Sequence, residues 1–143
     1  MKQVMTKPIR VAIQGGYGAF HEIAAIHYFG GEENVEIVTG QTFNQLFKNL
    51  ANQHADYGIM AIENMVAGSI IPNYKLLKDS NMQIVGEIYL RIKQNLVALP
   101  GQNIEDIKEV YSHPMAILQC QEFFDQHPHL RSIDSNDTAL SAK

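Results

Sequence analysis

A chain of 143 residues with a net charge of −4, 45% hydrophobic and 18% charged residues has the make-up of a soluble globular protein with a real core. It carries no basic run, which argues against nucleic acid and against an anionic membrane surface, since both need clustered Lys and Arg. No stretch approaches the roughly 18 apolar residues of a spanning helix, residues 1–10 lack a signal-peptide apolar core, and Cys120 stands alone, so a reducing, cytoplasmic setting is expected.

Ile9, Val11 and Ile13 alternate with Arg10, Ala12 and Gln14, the period of a strand. Gly15, Gly16 and Gly18 then make a tight turn, and Phe20, Ile23 and Ala24 open an amphipathic helix that Gly30-Gly31 can end. Val35 to Val38 reads as a short strand. Phe43, Leu46, Phe47 and Leu50 fall at i, i+3, i+4 and i+7, a helix signature with Thr42 near its cap. Tyr57 to Ile62 is nearly all apolar, as a strand covered by helices on both faces would be. A turn at Glu63-Asn64 follows, and a helix is expected from near Ser69, with Pro72 in its first turn.

Ile84 to Ile92 alternates as a long strand, Leu96 to Leu99 makes another, and Pro100-Gly101 is a break. Val110-Tyr111 ends a further strand, and Pro114 opens a helix through Phe124 that His127-Pro128-His129 stops. Ser135 to Thr138 is rich in capping residues, and Ala139 to Lys143 continues as a helix of little more than a turn. So short a helix is marginal by itself, which suggests a polypeptide cut from a longer one. Strand, turn and helix alternate throughout, which implies an α/β fold with largely parallel sheets.

Three turns follow strands and open helices: Gly15 to Ala19, Glu63 to Ser69, and Ser112 to Pro114. Ligands of open α/β sheets collect at strand carboxyl ends, and helix N-termini favour carboxylates or phosphates. An anionic small molecule is therefore the expected ligand. The glycine turn is not a dinucleotide fingerprint, because His21 stands where Gly or Ala is required. Glu63 and Asn64 suit hydrogen bonding to hydroxyls and orientation of a leaving group, and equally suit plain turn chemistry. Ser112-His113 with Asp134 invites a hydrolase reading, but neighbours on a strand end point apart and no G-x-S-x-G elbow is present. Ser112 is better read as a helix cap or a ligand hydroxyl. Gln119 is either a solvated helix residue or one that reaches a cleft. The histidines lack metal-like spacing, so no metal is expected. Cys120 lies on the apolar side of its helix and reads as a core residue.

These turns, in this order, resemble the prephenate dehydratase family. Val11-Ala12-Ile13-Gln14-Gly15-Gly16-Tyr17-Gly18-Ala19-Phe20 resembles its opening strand and glycine turn, with Gly16 and Ala19 departing from the usual Pro and Thr or Ser. Ala55-Asp56-Tyr57-Gly58 through Ile62-Glu63-Asn64 to Gly68-Ser69-Ile70 is similar to the family's A-D-Y-G-x-x-P-I-E-N-S-x-x-G-S-V segment, with Ala61 for Pro and Met65 for Ser. Val85-Gly86-Glu87-Ile88 resembles the next strand. Val110-Tyr111-Ser112-His113-Pro114 through Gln119-Cys120 resembles V-Y-S-H-P-Q-A-L-x-Q-C, with Met115 for Gln, and Asp137-Thr138-Ala139 matches D-T-A. The similarity runs collinearly over nearly the whole chain.

The resemblance implies a two-lobed α/β fold like the type 2 periplasmic binding proteins, with residues 1–88 as lobe one and 89–143 as the incomplete start of lobe two. It implies the cofactor-free conversion of prephenate to phenylpyruvate for phenylalanine synthesis, with prephenate as the small-molecule partner and a homodimer as the assembly. Glu63, Asn64, Ser112 and Gln119 would be catalytic, and Gly15, Gly18, Gly68 and Ser69 would bind substrate. The family's Thr-Arg-Phe motif does not occur in these 143 residues. Neither does the regulatory ACT domain that often follows it, and the chain alone is therefore expected to turn over little. The rival reading is a two-lobed module that binds an aromatic carboxylate and catalyses nothing, which the residues at Ala19, Met65 and Met115 keep open.

Overall fold

Strand β1 (Ile9–Gln14) sets the architecture, because its two faces are both covered. It is the centre of a three-stranded parallel sheet of order β2-β1-β3, where β2 is Val35–Gly40 and β3 is Tyr57–Ile59. Ile9 lies beside Val35 and Gln14 beside Gly40, while Val11 to Ile13 lie beside Tyr57 to Ile59. Val11 and Ile13 pack with Ala25 of helix α1 (Phe20–Tyr28), and Ala12 packs on the opposite face with Leu46 of helix α2 (Phe43–Ala51) and with Ala55. A central parallel strand between two helices must be apolar at consecutive positions, and Val11, Ala12 and Ile13 are wholly buried. The structure, a computed structural model, describes residues 7–66, 68–136 and 138–141, with the backbone alone at Leu140. Asp137 of the D-T-A element, and Ala142 and Lys143 of the expected terminal helix, lie outside the described residues.

The apolar run Tyr57 to Ile62 is not the doubly covered strand that its composition suggests. Its paired part stops at Ile59, it lies at the sheet edge, and Tyr57, Gly58 and Ile62 are exposed. Apolar composition reports a capacity for burial, and the strand order decides which strand receives it.

Local chemistry sets the start of α2 and the end of α1. Thr42 caps α2 by accepting the Gln45 N–H at 3.2 Å, and Gln45 Oε1 accepts the Gln41 N–H at 3.2 Å. Gly30, at φ +81°, follows α1 in the left-handed conformation, and the Gly31 N–H returns to the Ile26 carbonyl at 3.0 Å. Arg10 clips the start of β1 to the turn before β3: its N–H and Nε donate to one oxygen of Asp56 and its Nη2 to the other, at 2.7–3.2 Å.

After β3 the chain makes a two-stranded antiparallel hairpin, β4 (Glu63–Asn64) and β5 (Gly68–Ser69), before helix α3 (Ile71–Lys78). The helix thus starts two residues later than Ser69, because Ser69 is engaged in the hairpin. Pro72 does lie in its first turn.

Residues 82–99 carry no strand, contrary to the alternation at Ile84 to Ile92 and Leu96 to Leu99. A two-residue period marks two faces, but a strand also needs a hydrogen-bonded neighbour. Among the described residues none is paired there, and Ile84, Val85, Tyr89, Val97 and Leu99 are exposed.

The chain forms two compact units, the first comprising residues up to Asn64 and Gly68–Leu90. The second comprises residues 65–66 and those from Arg91 on. In the second, β6 (Glu109–Ser112) pairs in parallel with β7 (Arg131–Asp134), a strand that no clear alternation announces. The helix expected from Pro114 to Phe124 is broken into α4 (Pro114–Gln119) and α5 (Gln121–Gln126) at Cys120, whose φ of −106° and ψ of 17° leave the helical range. Helix α6 (Thr138–Ser141) follows β7. The fold is therefore mixed α/β with parallel sheets.

Candidate functional site

In the first unit the glycine turn sits at the carboxyl end of β1. Gly15 and Gly18 take φ of +96° and +90°, where a side chain would be strained. The Gly15 N–H donates to the Gly40 carbonyl at 2.8 Å and the Ala19 N–H to the Gly16 carbonyl at 3.1 Å. The Gly18 N–H donates to the carboxylate of Glu22, in the first turn of α1. A carboxylate thus already occupies the anion-favouring start of this helix, and it belongs to the chain itself. The expected anchoring of a ligand by the Gly15 and Gly18 N–H groups would require it to displace these internal partners.

The hairpin brings four candidate residues together. Glu63 lies beside Ser69 and Asn64 beside Gly68, and the Ile70 N–H donates to the Ile62 carbonyl at 2.9 Å. Gly68 has φ of +75°, which the tight return from Asn64 requires. Glu63, Gly68 and Ser69 are exposed, Asn64 is half-buried, and the Met65 side chain is fully in solvent. Glu63 and Ser69 share a rung and so a face, where an acid and a hydroxyl can meet one polar ligand, while the Asn64 amide on the next rung belongs to the opposite face.

Two residues near this hairpin were not singled out by sequence reasoning. His21 Nε2 accepts the Ala61 N–H at 3.3 Å, and Asn73 Nδ2 donates to the Ala61 carbonyl at 2.7 Å. Asn73 is only 2% exposed, on a helix where the local pattern offers no hint of burial. An amide on the inward face of α3 was the available signal, but it shows only once the helix is placed against the hairpin.

In the second unit, Ser112 ends β6 beside Asp134 of β7. Its hydroxyl donates to the Thr138 hydroxyl at 3.1 Å, and its carbonyl accepts the Ser135 N–H at 2.8 Å. The helix cap is His113, whose Nδ1 accepts the Met115 N–H at 3.2 Å, so Ser112 is not a cap. Gln119, at the end of α4, accepts from the Gln94 amide at 3.0 Å in a half-buried setting. Ser112 and Gln119 therefore have different partners. Partial burial raises the thiol pKa of Cys120, which disfavours its thiolate. Glu109 is held below the ordinary carboxylate range, first by the Arg131 guanidinium and then by the Tyr111 hydroxyl. Among the described residues, no group of three His, Cys, Asp or Glu could hold a metal ion, and no helix is long and apolar enough to cross a membrane.

A family model described as prephenate dehydratase matches residues 11–143. The chain is 38% identical over 135 residues to arogenate dehydratase/prephenate dehydratase 2, chloroplastic, of Arabidopsis thaliana, covering 94% of this chain and 34% of that protein. It thus spans about a third of the length of such curated relatives. A crystal structure of prephenate dehydratase in complex with L-Phe from Arthrobacter aurescens is similar at a TM-score of 0.73 and 25% identity, over 94% of this chain and 45% of that one. A protein described as GqqA, a novel type of quorum quenching acylase, is similar at a TM-score of 0.75 and 28% identity, over 91% of this chain and 46% of that one.

Proposed function

Since the chain belongs to the prephenate dehydratase family, we propose that it serves the decarboxylating dehydration of prephenate to phenylpyruvate. In that reaction the ring carboxylate leaves as CO2 and the ring hydroxyl, on taking up one proton, leaves as water. Aromatisation drives both losses. The protein has to hold two carboxylates, assist departure of the hydroxyl and keep the CO2-forming centre away from water. The observation that carries this reading is the hairpin, which gathers Glu63, Asn64, Gly68 and Ser69 on two rungs beyond the end of β3.

In this reading Asn64, Ser112 and Gln119 hydrogen-bond the substrate and Glu63 fixes the geometry. The Gly15–Gly18 turn and Gly68-Ser69 anchor carboxylates, the first by exchanging the Glu22 carboxylate for that of the ligand. Residues 1–88 and 89–143 act as parts of two lobes of a periplasmic-binding-protein-like fold. The exposed apolar residues Ile84, Val85, Tyr89, Val97 and Leu99 are covered in a homodimer. The lone Cys120 suits the cytoplasm.

A second reading, a module that binds an aromatic carboxylate without catalysis, rests on the departures from the family pattern at Ala19, Met65 and Met115. An acylase reading has less support. Ser112 donates to Thr138 and His113 turns Nδ1 to its own helix, which is not the pairing of a nucleophile with its base. Calorimetry with prephenate and phenylpyruvate absorbance, run side by side, test the proposal. Residues 1–143 should bind prephenate but turn it over slowly, and joining a segment that carries Thr-Arg-Phe should raise turnover. Binding with no gain in turnover would favour the second reading, and absence of binding at millimolar prephenate would refute both.

A further inference from the structure

We infer that His21 and Asn73 are positioning residues for the Glu63–Asn64 pair, gripping Ala61 by its N–H and its carbonyl where the chain leaves the sheet. The inference rests on the reading of Glu63 and Asn64 as site residues.

Strand β3 stops pairing with β1 at Ile59, and β1 itself turns towards β2, where the Gly15 N–H donates to the Gly40 carbonyl. The peptide groups that follow Ile59 therefore need partners from outside the sheet, because backbone donors and acceptors are costly to leave unpaired. Helix α1 supplies His21 Nε2 to the Ala61 N–H at 3.3 Å, and α3 supplies Asn73 Nδ2 to the Ala61 carbonyl at 2.7 Å. One residue later the Ile62 carbonyl takes the Ile70 N–H at 2.9 Å, and the Glu63–Ser69 and Asn64–Gly68 rungs begin. The root of the hairpin is thus fixed at three backbone groups of two successive residues, Ala61 and Ile62.

The two side chains suit this task. Among the described residues, Asn73 stands alone as a buried polar side chain. A buried amide is destabilising unless it is bonded, whereas an apolar residue in its place would pack without specifying where Ala61 lies. Acceptance at His21 Nε2 requires a neutral ring with its proton on Nδ1. The ring meets Phe43 edge-on at 5.5 Å, which holds its direction. The carboxylate and amide of the site are therefore aimed by α1 and α3 through one alanine.

Nuclear magnetic resonance of the ¹⁵N-labelled chain tests this without relying on turnover. Wild type should show coupling across the hydrogen bond between the Ala61 nitrogen and His21 Nε2, with the ring as the Nδ1–H tautomer. His21→Phe keeps an aromatic ring on Phe43 but removes the acceptor, and Asn73→Asp keeps the shape but removes the donor. Each should displace the Glu63 and Asn64 amide signals and the Asn64 side-chain signals, and weaken prephenate binding on the order of 3–10-fold. His21→Gln, which restores an acceptor, should move these signals back. Absence of the coupling, or unchanged Glu63 and Asn64 signals in a folded variant, would overturn the inference. If Asn73→Asp fails to fold, His21→Phe against His21→Gln decides alone. If wild type does not bind prephenate, the proposed function fails, while the signals of Glu63 and Asn64 still decide the role of the two residues.

Discussion

Replacing Ser112 by alanine should separate ligand binding from folding. Among the described residues the hydroxyl makes one bond, to Thr138 at 3.1 Å, while the backbone of Ser112 is held by its register with Asp134 and by the Ser135 N–H at 2.8 Å. None of the backbone contacts needs the side chain. Losing one half-buried bond between neutral hydroxyls should cost about 0.5–1.5 kcal/mol of stability, or about 2–5 °C in melting temperature. Losing a hydrogen bond to a substrate carboxylate should cost more, about 1.5–3 kcal/mol, which is about 10- to 150-fold in Kd. Thr138→Val is the control, because it removes the same internal bond and leaves the Ser112 hydroxyl in place. Calorimetric titration with prephenate and thermal melting of the same samples should give a small, equal loss of stability for both variants and a loss of affinity for Ser112→Ala alone. The reasoning fails if Ser112→Ala melts many degrees lower yet binds prephenate as wild type does. It fails equally if Thr138→Val loses as much affinity.

Leu46, 1% exposed between Ala12 and Ala55, should cost about 2–5 kcal/mol in urea unfolding when cut to alanine, since a helix and a sheet cannot both close on the cavity. Gly58→Ala should cost about 1–3 kcal/mol, because its new methyl would lie 3.0 Å from both Leu46 Cδ2 and Leu50 Cδ1; an unchanged urea midpoint would show that α2 yields freely. The Asp56 carboxyl is held below its ordinary value by the Arg10 side chain first and by the Arg10 N–H second. Its folded pKa is depressed, so the pair's contribution is present above the unfolded carboxyl value and lost as pH falls through the folded one. Melting between neutral pH and about pH 2 should thus fall less steeply in Asp56→Asn than in wild type below about pH 4. Cys120 should react with a disulfide reagent more slowly than a free thiol at pH 7–8, and rapid stoichiometric labelling would contradict its raised pKa.

Local signals in the sequence proved faithful where the physics is local. Thr42, Gly30 and Pro72 mark helix ends because a cap, a left-handed residue and a missing N–H each act within one turn. The reading faltered where a neighbour distant in sequence decides. Residues 84–92 alternate as a strand would, yet find no ladder among the described residues, and the apolar run from Tyr57 lies at an edge. Strand β7 was missed because Arg131–Asp134 has no apolar alternation and owes its form to β6. Of the candidate site, the turns themselves were legible from Gly, Asn and Ser. The grip of His21 and Asn73 on Ala61 was not, since it joins residues 40 and 12 positions apart through backbone atoms that carry no sequence identity.

The placing of β1 at the centre of its sheet has a consequence for how the chain is made. Strand β1 is synthesised before the other two strands of its sheet, but the second flank of Val11, Ala12 and Ile13 is closed only by Tyr57–Ile59. At about 5–20 residues per second, the wait between Gln14 and Ile59 is about 2–9 s, during which the strand that ends most deeply buried has an open edge. Arg10 and Gln14, at the two ends of that run, are the polar residues that flank it while it waits. The ion pair that Arg10 later forms with Asp56 can close only after residue 56 has been made, just before β3 docks. The clip is therefore set at the end of the interval in which β1 stands open to other chains.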